Sequence, residues 1–257
     1  MRKIVAILLV MVIAGLSGCS LLNDNPETTL SSVEQPVETT PTESVLPTHS
    51  ELFLSTVPPD EMINYFNEVA LSMEYSTGAG DVTLVQKWEI PILYRIEGTP
   101  TEEDLSVLQN LFAQLNAVEG FPGIGEAKAG EENLIISFLN EDAFNQSFSG
   151  VIQGEAADGA VQFWYYNDSN EIYTGRIGYR TDIGQETRNS VLVEEIINLL
   201  GFNDTTSRPD SIIYQYSSDV AQPSNVDWVL VKLLYHPLIR CGMTAEDCLP
   251  ILQQLYY

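Results

Sequence analysis

The sequence predicts an α+β fold: a mainly antiparallel twisted sheet followed by helices. Three observations predict it. Apolar residues alternate in runs between residues 81 and 179, a polar turn (Asn167-Asp168-Ser169-Asn170) separates two of those runs, and apolar residues recur at helical spacing after Asp182. Residues 51–257 suffice for one domain with a sizeable core, and no internal repeat divides them.

At the N-terminus, Arg2 and Lys3 precede an apolar run from Ile4 to Leu16, then Leu16-Ser17-Gly18-Cys19. The run is too short for a spanning helix and suits a signal peptide over residues 1–18. Leu-Ser-Gly-Cys resembles the lipobox of bacterial lipoproteins. That resemblance implies cleavage before Cys19, lipid on its sulfur, the membrane as a partner through that lipid, and a place on the extracytoplasmic face of a cell membrane. The other reading is an ordinary signal peptide with a chance cysteine.

Residues 19–50 contain no Lys, Arg or aromatic residue and are rich in Ser, Thr, Pro and Glu. Such a segment buries too little apolar surface to offset chain entropy, so a disordered tether is expected, with a reach on the order of 30 Å. Across the chain, 36 acidic residues face 11 basic ones, a formal charge of -25, and the first base after the signal is Lys87. A field of this sign repels phosphate and argues against nucleic acid as a partner.

Beyond the tether, the apolar spacing of Met62, Tyr65, Phe66, Val69 and Met73 predicts a helix over 59–73. Strands are expected within 81–96, and a helix over 101–118 opened by a Thr101 cap with acidic residues in its first turn. Leu134 to Leu139 reads as a strand, and 160–166 with 171–179 as a hairpin. Helices follow over 187–200, ended by Gly201 in the left-handed conformation, and over 226–234. A last helix over 244–255 is opened by Thr244 and Asp247 in capping-box spacing. Besides Cys19 there are only Cys241 and Cys248; in an oxidising compartment they are expected to form a disulfide stapling the incoming loop to this helix.

Val191 to Phe202 resembles the zinc helix of metzincins, HExxHxxGxxH, with its ligands missing. Glu194, Asn198 and Asp204 stand at the three histidine places, Glu195 at the general-base place and Gly201 at the turn glycine. Ser211-Ile212-Ile213-Tyr214 is similar to the Met-turn, with Ile213 for methionine, and Val226 to Tyr235 looks like the closing helix. A nearer resemblance is to an uncharacterised family of bacterial secreted and lipoprotein domains with the pattern Glu-Glu, amide, Gly, Asn-Asp, here Glu194, Glu195, Asn198, Gly201, Asn203 and Asp204. It covers about the last 170 residues and implies a zincin-like fold without a reaction.

Zinc hydrolysis needs imidazole or thiolate donors. The two histidines are His49, in the tether, and His236, after the Leu-Leu-Tyr helix end, where a local cap or surface contact is expected. No cofactor is therefore expected. An oxygen set from Glu194, Asn198 and Asp204 would suit calcium; alternatively Glu194 and Asn198 carry hydrogen bonds that orient the next loop while Asn203-Asp204 makes a turn. No phosphate loop appears at Gly78-Ala79-Gly80 or Gly123-Ile124-Gly125.

Three expectations follow. One is a non-catalytic domain binding a peptide, protein or envelope polymer in the former substrate cleft, with Phe163, Trp164, Tyr165, Tyr166 and Tyr173 on the strand pair that would edge it. Another is a divergent hydrolase using Glu195 with an oxygen-ligated cation or a loop carboxylate. A third is a mechanical or assembly role.

Overall fold

A computed structural model describes residues 58–71, 83–150, 157–217 and 219–256. The signal peptide, Cys19, the tether and His49 lie outside them, as do the last residues expected in the first helix. Twelve elements follow in the order α1 (Pro59–Ala70), β1 (Lys87–Trp88), β2 (Ile92–Gly98), α2 (Glu102–Leu115), β3 (Ile124–Glu126), β4 (Leu134–Leu139), α3 (Glu141–Phe148), β5 (Gly159–Tyr165), β6 (Glu171–Arg180), α4 (Gln185–Leu199), α5 (Asn225–Leu234) and α6 (Ala245–Tyr256).

Local signals set the helix starts. Pro59 opens α1 at a position with no hydrogen bond to lose. Thr101 with Asp104 and Ser224 with Asp227 form reciprocal capping boxes on α2 and α5. Thr244 and Asp247 exchange the same pair of bonds ahead of α6. Asn140 caps α3 by accepting from the Ala143 amide. Gly201, at φ +113°, turns the chain out of α4.

The sheet runs β1-β6-β4-β2-β3, with β5 also paired to β6. It is mainly parallel, which corrects the antiparallel expectation: β1·β6, β2·β3, β2·β4 and β4·β6 are all parallel, and only β5·β6 is antiparallel. The hairpin was legible because its turn is short. The other pairs are joined through long connections such as α2, which lies between β2 and β3, and such crossovers return the chain in the same direction. The architecture is mixed α/β.

One face of the sheet carries the core. Leu134, Ile136 and Phe138 of β4 are buried while Ile135, Ser137 and Leu139 are only partly so. On the buried face, the Tyr94 ring meets Phe112 of α2 and the Tyr179 hydroxyl donates to the Leu192 carbonyl of α4. The helices α2 and α4 are locked together by a buried ion pair, Arg188 Nε to Asp104 Oδ1 at 2.8 Å. The opposite face is covered by α3, whose Phe148 ring lies where a side chain on Gly178 would go.

Cys241 and Cys248 are free thiols, contrary to the expected disulfide. The Thr244 cap points Cys248 into the core, whereas the Cys241 thiol donates to the Lys87 carbonyl of β1. Their side chains are committed to different neighbours. Burial pushes each thiol pKa up to about 11.

Candidate functional site

The chemistry-bearing residues sit on α4, whose residues from Ser190 to Leu199 are all buried. A helix surrounded by core on every side normally carries apolar residues throughout. This one carries Glu194, Glu195 and Asn198, each at most 1 % exposed. Glu195 lies under β5: a Cβ on Gly159 would stand 2.8 Å from its Oε1 and 2.4 Å from Val191 Cγ1. Tyr179 is nearby, and burial together with the charges of Glu195, Glu194 and Asp104 pushes its phenol well above its ordinary pKa.

After Gly201 the chain folds back. Asn198 Nδ2 donates to Asp204 Oδ1 at 2.8 Å, so these two predicted positions do meet, as hydrogen-bonded partners. The loop continues through Thr205, whose amide donates to the Ile213 carbonyl and whose carbonyl accepts from Gln215, with a parallel bridge to Tyr214. Ile213, at the Met-turn place, is fully buried. The Glu68 carboxylate of α1 holds the same loop by accepting from Thr205 Oγ1, the Thr206 amide and Ser207 Oγ. Beneath it, Tyr65 donates to Ser211 and Ser211 to Asp227, a buried chain linking α1, the loop and α5.

The residues at the zinc places do not fit zinc. They offer oxygen and amide groups only, and the Asn198 amide directs its N–H at Asp204 rather than leaving that oxygen for a cation. Among the described residues no three His, Cys, Asp or Glu side chains converge as a metal set. His236 is buried, not a surface contact; its Nδ1 accepts from the Leu238 amide, the local cap expected of it. Burial holds its imidazole below the ordinary histidine pKa, with Glu119 acting in the opposite direction.

The aromatics of the hairpin separate. Phe163 is buried and Trp164, Tyr165 and Tyr173 half-buried, while Tyr166 is exposed and stacks on Tyr173 with centroids 4.4 Å apart. A cleft that sequence reasoning did not find opens at the far end of the hairpin, about 950 Å³ in volume, between the Asn167–Asn170 turn and the loop from Pro237 to Gly242. Lys87, Glu89, Tyr235, Arg240 and Cys241 line it. Lys87 Nζ is fixed there by the Ile239 carbonyl at 2.7 Å and by Glu89 at 3.3 Å. The turn chemistry at 167–170 was the only signal of it in the sequence.

Fold and site together define a mixed α/β domain whose last strand feeds a helix buried from Ser190 to Leu199 and bearing two acids and an amide, closed by a left-handed glycine. Over residues 59–254 the chain matches the family described as "Protein of unknown function (DUF2927)", and it belongs to that family. The match begins well before the last 170 residues that the resemblance covers, taking in α1. No curated protein matches the chain.

Proposed function

We propose that the chain is a lipid-anchored extracytoplasmic lipoprotein whose zincin-like domain binds a peptide, protein or envelope polymer without hydrolysing it. One observation carries the reading. The residues at the catalytic places, Glu194, Glu195, Asn198 and Asp204, are sealed in the core, whereas the open cleft of about 950 Å³ beside Lys87 and Arg240 has the size of a ligand site. The anchor rests on the Leu16 to Cys19 motif and the acid-rich segment after it. No helix among the described residues is long and apolar enough to cross a membrane.

The test uses the full chain in its membrane. Labelled palmitate should enter the wild type and not Cys19→Ala. Photo-crosslinkers at Glu89 and Arg240 should capture a partner or wall polymer, and Glu195→Ala should leave that capture unchanged. Hydrolysis of casein or wall polymer by the wild type that disappears in Glu195→Ala would overturn the reading in favour of the divergent hydrolase.

A further inference from the structure

On the sheet face turned away from α4, Arg176 of β6 is held in an unusual way. Its Nε donates to Oε1 of the buried Gln162 at 2.9 Å, and its guanidinium lies 4.7 Å from the Phe148 ring centroid and 5.9 Å from that of Trp164. Arg95, Arg180, Arg188 and Arg208 each face a carboxylate, and Arg240 is exposed to solvent. Arg176 is half-buried and faces none among the described residues. Burial moves its pKa down.

A guanidinium clamped by one amide oxygen and two rings has given up its rotamer freedom in advance. Its two Nη groups present the planar fork that matches a carboxylate in bidentate fashion. Beside it stand the half-buried Trp164 ring and, next along the hairpin, the stacked Tyr166 and Tyr173. Aromatic faces of this kind take a flat or cyclic body by stacking. The overall negative charge does not forbid an anion here, because at physiological salt the Debye length is about 8 Å and the nearest charge dominates.

We propose that Arg176 and Trp164, positioned by Gln162 and Phe148, form a subsite for a carboxylate carried on a ring, such as a sugar acid or an aromatic acid. The subsite lies apart from the cleft at Lys87 and Arg240 and does not depend on that cleft's ligand.

The three tryptophans, Trp88, Trp164 and Trp228, make the test direct in the full chain labelled with fluorotryptophan, the Trp164 signal being assigned by Trp164→Phe. Trigalacturonate and benzoate should each move the Trp164 resonance to saturation, and neutral galactotriose should not. Arg176→Gln should weaken binding about tenfold, and Arg176→Lys several-fold because an ammonium lacks the fork. An unmoved Trp88 signal certifies the core of each variant. Should Arg176→Gln disturb it, Trp164→Ala, followed from the ligand's resonances, must lose affinity instead. A Trp164 signal that no ring carboxylate moves, equal binding of sulfate, or full affinity in an intact Arg176→Gln would each overturn the assignment.

Discussion

Asn198 Nδ2 donates to Asp204 Oδ1 across the turn at Gly201, joining the end of the buried helix to the loop that follows it. Both groups are withdrawn from water, so removing one deletes a buried hydrogen bond that solvent does not replace. Asn198→Ala should cost about 1 kcal/mol, the net contribution of one buried hydrogen bond, read by denaturant unfolding. Asn198→Asp should cost more at neutral pH, by placing two carboxylates together, and should recover stability as one is protonated in acid. Equal stability of Asn198→Ala and the wild type would show the bond to be incidental.

Gly201→Ala should be among the most damaging single changes. The backbone there is left-handed, and a Cβ would stand 2.0 Å from the Gln86 carbonyl oxygen, a backbone atom that cannot swing aside. Strain and displacement together should exceed about 2 kcal/mol, lowering Tm by several degrees or preventing folding. A Tm within a degree of the wild type would contradict the turn geometry.

The Arg188–Asp104 pair predicts a pH effect with a definite sign. Burial alone would raise the Asp104 pKa, but hydrogen bonds from Arg188, Thr101 and Gln185 outweigh it and hold the carboxyl below its ordinary value. The unfolded chain therefore takes up this proton at a higher pH than the fold does. The contribution is complete above the unfolded carboxylate pKa and is lost as pH falls through the lower, folded one. Arg188→Met should lose about 3–5 kcal/mol at neutral pH by removing the counter-charge of the buried Asp104, which keeps only its Thr101 and Gln185 hydrogen bonds, and its stability should depend less steeply on acid than the wild type's.

The thiols make a chemical prediction. With both cysteines protonated near neutral pH, Cys241 should alkylate slowly and Cys248 should stay unreactive until the chain unfolds. Non-reducing electrophoresis should show no internal crosslink between them. A single disulfide-linked species from freshly isolated membranes would overturn this.

Much of the helical architecture was legible because its signals are local. Thr101 with Asp104, Thr244 with Asp247, and Gly201 each act within one turn, and the structure places caps and ends within a few residues of where those signals stand. β3 escaped because three residues, Ile124 to Glu126, carry no periodicity. α3 escaped because only Phe144 and Phe148 face inward over its eight residues, although Asn140 followed by Glu141 and Asp142 was a start signal. Strand direction depends on where a long connection returns, which alternation cannot encode. At the site, the sequence grouped Asn198 with Asp204 only as members of one oxygen set, and the structure joins the two by a direct hydrogen bond. That Arg176 rests on Gln162 and Phe148 was not legible, since these come from β5 and α3, distant in the chain until the sheet assembles.

The pairing of β1 with β6 has a consequence for assembly in time. Trp88 donates its indole N–H to the Leu199 carbonyl and pairs through its backbone with Ile172. A chain made from its N-terminus cannot seat this tryptophan, nor close the sheet around β6, until residues as far as Leu199 have emerged. Contacts so remote in sequence slow folding, so the nascent chain passes through a long open phase in which β2 and β4 expose apolar surface. Folding should therefore follow completion of the chain, and a stop before residue 171 should leave a product that aggregates or is degraded.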